Sequence, residues 1–150
     1  MLAALARWLR AAGHDAALAP PSAPDRSLIE QARAEGRVLV SRDRRLVGEA
    51  GDVPAVLLSE GALDDQAAAL GHALGLDWRL APFTRCMMDN TPLRPATAEE
   101  VAAMPLTSRK RPGPFRACPR CGRLFWPGSH VRRMAERLQR WAAASDEGSP

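Results

Sequence analysis

No stretch of the 150-residue sequence approaches ~20 uncharged apolar residues, so no membrane-spanning helix is expected. Arg7 and Arg10 break the first apolar run before the core of an export signal can form, and a cytoplasmic protein is expected. Cysteine is scarce, with three residues, an odd number. In a reducing compartment these are read as free thiols or metal ligands, not as a disulfide framework. There is no glycine-rich phosphate loop, nucleophile elbow or kinase motif, and no internal repeat. Lysine occurs once, as Lys110, and the other basic residues are all arginine.

What is present fits one ordinary globular domain, or one domain with a small module. At 46% hydrophobic and 25% charged, the chain can bury a core without covalent staples. The net charge of +4 is unevenly spread. Residues 1–83 sum to −2, residues 84–141 to +8, and residues 142–150 to −2. So basic a segment points to a polyanion, most simply nucleic acid, against the alternative of a solvated arginine surface.

Leu2, Leu5 and Leu9 recur at helical spacing, and Gly13 is a helix stop. Asp15 to Ala19 is a short extended candidate and Pro20–Pro24 a loop. A second helix is expected with Ser27 and Glu30 as a capping box, ending at Gly36. Val38–Val40 and Ala55–Leu58 are buried parallel strands, separated by a short helix from Arg44. Leu63–Leu74 is an alanine-rich helix opened by Asp64 and Asp65. This alternation of helix and strand describes an α/β domain with a parallel sheet. From residue 83 the character changes. Thr97 and Glu100 cap a short helix over 98–104, and 107–114 is a basic loop. A last helix from Ser129 carries Val131, Met134, Leu138 and Trp141 on one face. Expected boundaries are 1–82 for the α/β domain, 83–144 for the basic module and 145–150 for a disordered tail.

Cys118-Pro-Arg-Cys121-Gly has the spacing of a zinc knuckle. Cys86 is the natural third ligand. Asp89 stands where a fourth cysteine would complete a second pair, and His130 is a rival for that place; the remaining alternative is a site that binds no metal. Asp43 directly follows a strand, where ligands of parallel sheets collect, and could hold magnesium or manganese. Spacing alone favours the other reading, a helix N-cap. Asp25, just before the second helix, has the same two readings. Converging carboxylates would suit metal-assisted phosphodiester hydrolysis. His14 is read as a helix-end residue and His72 as surface. Trp8 and Trp126 could stack on bases or serve packing.

Several blocks in order resemble the Mut-seven C-terminal RNase family: Met1–Arg10 with Gly13-His14-Asp15, Asp25–Leu28, Gly36–Asp43, Phe83–Cys86 and Cys118–Met134. The resemblance covers residues 1–141. It implies a PIN-like nuclease domain with a zinc ribbon, cleaving RNA through an acidic metal-binding cluster to which Asp43 and Asp25 would contribute. A further carboxylate of that pattern would lie just ahead of Met1, so either the first strand precedes the residues given or the chain is truncated. The expected fold is therefore a PIN-like parallel sheet flanked by helices, then a zinc-ribbon-like module and a C-terminal helix. The expected function is metal-dependent ribonuclease. Asp25 and Asp43 would hold magnesium or manganese, Cys86, Asp89, Cys118 and Cys121 would hold zinc, and Arg7, Arg10, Arg42 and Arg44 would contact RNA. The alternatives are a non-catalytic RNA-binding module, and a protein-interaction module using the Val131–Trp141 face.

Overall fold

The computed structural model describes residues 2–148. Helix α1 (Leu2–Ala12) buries Leu5, Ala6, Ala11 and Ala12. It stops at Gly13, whose φ of 101° lies in the region that favours glycine. A Cβ there would sit 2.5 Å from the Ala81 carbonyl oxygen. The close approach has a use: Ala81 and Phe83 donate their amides to the otherwise orphaned carbonyls of Ala12 and Ala11, at 3.0 and 2.8 Å. The stretch Asp15–Ala19, expected to be extended, forms no strand.

Helix α2 (Asp25–Glu35) begins two residues before the expected Ser27 cap, with Pro24 as N-cap. Ser27 therefore lies inside the helix, and Glu30 pairs with Arg26 at 3.0 Å instead of closing a capping box. Strand β1 (Leu39–Ser41) follows, then α3 (Arg44–Gly48), then β2 (Ala55–Leu57), which pairs in parallel with β1 in the register Val40↔Val56. Helix α4 (Leu63–Leu74) ends at Gly75 in the left-handed conformation.

The sheet is covered on both faces, and the period-2 alternation of a strand divides its residues between them. Leu39 and Ala55 pack on Ile29, Ala32, Leu46, Ala50 and Val53, from α2, α3 and the loop after α3. Val40 and Val56 face the larger cluster, which holds Leu5, Leu70, Trp78, Met134, Leu138 and Trp141.

Downstream, β3 (Arg94–Pro95), β4 (Arg116–Ala117) and β5 (Leu124–Phe125) form a small antiparallel sheet in the order β3-β4-β5. Between β3 and β4, α5 (Ala98–Ala102) has the expected Thr97/Glu100 capping box. Helix α6 (Leu106–Arg109) occupies part of the stretch expected as loop. Helix α7 (Ser129–Glu147) lays Met134, Leu138, Trp141 and Ala142 against α4 and α1.

Two expectations are corrected here. The apolar face of α7 is buried within the chain, so it offers no protein-docking surface. The tail expected from Ser145 onward is helical through Glu147, because Ala142–Ala144 sustain the helix and Asp146 is held by Arg79 at 3.3 Å. Residues 149 and 150 lie outside the described residues. No helix among the described residues is long and apolar enough to cross a membrane.

Candidate metal centre and carboxylate edge

Two tight turns bring the cysteines together, and they are built alike. In the first, the Cys86 amide donates to Thr91 O at 2.8 Å and the Asn90 amide to Cys86 O at 2.8 Å. In the second, the Cys118 amide donates to Arg123 O at 2.9 Å and the Gly122 amide to Cys118 O at 2.9 Å. Asn90 (φ 72°) and Gly122 (φ 75°) hold equivalent left-handed positions, which asparagine and glycine tolerate best. This correspondence puts Asp89 where the second turn has Cys121.

Ligand atoms of Cys86, Asp89, Cys118 and Cys121 all lie within 4.8 Å of one another, a possible metal-binding group. Cys86 Sγ is 3.7 Å from Cys121 Sγ. Cys118 Sγ is 3.5 and 3.3 Å from the two Asp89 carboxylate oxygens. Tetrahedral zinc with Zn–S near 2.3 Å and Zn–O near 2.0 Å requires S–S edges of about 3.8 Å and S–O edges of about 3.5 Å. The Cys86–Cys121 and Cys118–Asp89 edges match those values, and three thiols with a carboxylate suit zinc chemically. His130, the rival ligand, is exposed on the first turn of α7 and is not in the group.

The electrostatics of the turns differ. Burial pushes the Cys86 thiol up to about 12. Burial also opposes ionisation of Cys118, yet the Cys121 and Arg120 amides aimed at its sulfur leave it below the ordinary thiol value. At Asp89 burial is outweighed by hydrogen bonds from Thr91 and from the Cys86 and Cys118 thiols, and the carboxyl lies far below its usual range. Protein amides and thiols thus favour negative charge at Asp89 and Cys118, whereas burial opposes it at Cys86.

Arg10 crosses from α1 to the first turn. Its Nη1 donates to Met87 O and Met88 O at 3.1 and 3.2 Å, and its Nε donates to Ala16 O at 2.8 Å. Burial lowers its pKa, with Cys86 and Asp89 acting against that. Arg10 is thus engaged inside the protein, while Arg7 and Arg44 are exposed. Arg42 forms an ion pair with Glu60.

The expected carboxylates lie apart from the cysteine turns, Asp43 just after β1 and Asp25 at the start of α2. Asp43 caps α3, its Oδ1 accepting from the Arg45 and Leu46 amides at 2.8 and 3.3 Å. Its own amide donates to Ser41 Oγ at 3.0 Å. The cap occupies Oδ1 alone. Asp25 opens α2, and both Asp25 and Asp43 add to the raised pKa of Arg45, behind Glu49 as the main cause. Among the described residues neither belongs to a group of three metal-ligating side chains. Beside this edge, a cavity of about 350 Å³ is lined by Ala4, Arg42, Glu60, Leu63 and Gln66.

Several functional contacts escape a reading of the sequence. The Arg10 clamp depends on residues 77 positions apart. Asn90 carried a usable signal, since it follows Asp89 as Gly122 follows Cys121. Trp8 packs against Trp141 with ring centroids 5.1 Å apart, under the Arg137 guanidinium, which makes its role structural.

A small parallel sheet covered on both faces, a small antiparallel sheet, a C-terminal helix and a cluster of cysteines near one another make this a mixed α/β protein. The Mut7-C RNAse domain matches residues 1–138, and the chain belongs to that family. No curated protein and no solved structure matches it.

Proposed function

We propose that this protein is a metal-dependent ribonuclease that hydrolyses RNA phosphodiester bonds, with a structural zinc in the Cys86, Asp89, Cys118 and Cys121 group. Family membership over residues 1–138 carries the reading. The strongly basic second half supports RNA as the polyanion.

Asp43 and Asp25 would hold magnesium or manganese. The cap uses only Oδ1 of Asp43, and among the described residues no bond to its Oδ2 competes with a cation; this supports the reading, because magnesium takes one or two carboxylates and fills its remaining positions with water and phosphate oxygens. A divalent cation there supplies charge to stabilise the phosphoryl transition state and to acidify water. The chain's own part is positioning: α3 and β1 fix Asp43 on a rigid element, and exposed Arg44 and Arg7 hold the RNA backbone. The ribbon zinc is structural, since four protein donors leave no open position.

The test is cleavage of a labelled single-stranded RNA with magnesium or manganese. Asparagine caps helices as well as aspartate does, so Asp43→Asn removes the charge and keeps α3. It should lower cleavage by about 100-fold or more. Undiminished cleavage would exclude the role of Asp43. A second reading, an RNA-binding module without catalysis, is favoured by the absence of any third ligand beside Asp25 and Asp43 among the described residues. It predicts salt-sensitive binding and no cleavage by the wild type.

A further inference from the structure

Next to the cysteine turns, a cleft of about 230 Å³ opens where the Phe83–Arg85 segment, β4, β5 and the start of α7 meet. Phe83, Phe125 and Trp126 contribute aromatic walls, Val131 from α7 an aliphatic one, and Arg85 and Arg116 the charge. A pocket of this size takes a single ring system, not a drug-sized ligand.

The two arginines are half-buried and form no ion pair among the described residues. Each uses Nη1 to donate to a backbone carbonyl, Arg85 to Asn90 O at 2.9 Å and Arg116 to Phe83 O at 3.1 Å. Phe83 itself is held at φ 59°, an outlier for an aromatic residue, fixed by its amide on Ala11 O at 2.8 Å and by Arg116 on its carbonyl. Such strain persists only where the surroundings over-determine it. Here it sets one wall of the cleft.

Apolar walls accept an aromatic ring, and the arginines beside them accept a phosphate. A nucleotide carries both groups. We infer that this cleft binds one unpaired base of single-stranded RNA, stacked on Trp126 and its aromatic neighbours, with Arg85 and Arg116 on the adjoining phosphates. The inference rests on RNA being the ligand, and it assigns the ribbon a base-gripping role that zinc and charge alone do not give it. Stacking is tolerant of base identity, so no sequence preference follows.

The experiment uses the full chain and a fluorescein-labelled single-stranded RNA, with a same-length strand holding abasic sites as probe of the backbone alone. Trp126→Ala should weaken binding of the intact RNA by about 5- to 100-fold, the range for loss of one base–aromatic stack, and leave the abasic strand unaffected. Trp126→Phe should restore most of the loss. Photocrosslinking of 4-thiouridine RNA to the wild type, mapped by peptide mass, should mark Phe83, Phe125 or Trp126 and needs no variant to fold.

If the wild type binds intact RNA and Trp126→Ala binds it equally, with crosslinks elsewhere, the cleft assignment is overturned and the ribonuclease reading stands. If the wild type binds no RNA at all, both fall together. Unchanged RNA binding with loss of self-association in sedimentation would make the cleft a protein-docking site and overturn the proposal.

Discussion

Arg10 Nη1 donates to the Met87 carbonyl at 3.1 Å, tying the first helix to the first cysteine turn. Replacement by methionine keeps the length of the side chain but takes the donor from the buried Met87 carbonyl and from the part-buried Ala16 and Met88 carbonyls. The expected cost is about 2–4 kcal/mol of unfolding free energy, since hydrogen bonds to a charged group are the strong ones. Denaturant unfolding of Arg10→Met checks this, and a loss below about 0.5 kcal/mol would mean the clamp is incidental.

The two matched turns make a prediction about Asp89. Purified protein should carry about one zinc per chain, and Cys118→Ser should lose it. Asp89→Cys completes the equivalence with Cys121 and should tighten zinc by about tenfold or more, read by competition with a chromogenic chelator. A weaker site in Asp89→Cys would show that the carboxylate is the better donor in this frame.

Asp43 separates capping from chemistry. Asp43→Ala should cost about 1 kcal/mol from the loss of the bonds to the Arg45 and Leu46 amides, whereas Asp43→Asn should be near wild type in stability. Thermal melts of the two variants decide it. Equal destabilisation by both would show that charge, and not the cap, holds the start of α3.

Gly71 sits inside α4 against Trp78, which is 1% exposed. In an open helix Gly→Ala gains about 1 kcal/mol. Here the new Cβ would lie 2.9 Å from Trp78 Nε1, on a ring itself wedged edge-on against Trp141 at 4.9 Å. Overpacking should outweigh the helix gain, leaving Gly71→Ala about 1–2 kcal/mol less stable. A melting temperature at or above wild type would refute this packing.

Asp64 links α4 to α7 by accepting from Arg137 Nε at 3.0 Å and Trp141 Nε1 at 2.8 Å. The Arg137 bond first, then that of Trp141, hold its carboxyl below the ordinary value. A lowered folded-state pKa stabilises above the unfolded value of about 4, and that stability is lost as pH falls through the folded value. The side chain is 63% exposed, so screening limits the gain to at most about 1 kcal/mol. The stability gap between wild type and Asp64→Asn should be open at pH 6 and close on acidification. A gap independent of pH would assign the link to geometry alone.

Local physics made much of this molecule legible in the sequence. The apolar runs Val38–Val40 and Ala55–Leu58, which the strands Leu39–Ser41 and Ala55–Leu57 meet to within a residue, the helix over Leu63–Leu74 and the Thr97/Glu100 capping box follow from local patterning and capping chemistry, which act within a few residues. The cysteine spacing similarly announced a knuckle, because a tight turn needs few residues. The tertiary structure decided what depends on distant partners. It engaged Arg10 with carbonyls at positions 87 and 88, and it buried the face of α7 against α4 and α1. It also brought Cys86 within 3.7 Å of Cys121 and gathered the aromatic cleft from four separate segments. These contacts join residues far apart in the chain, and their energies come from burial and hydrogen bonding that no local pattern encodes.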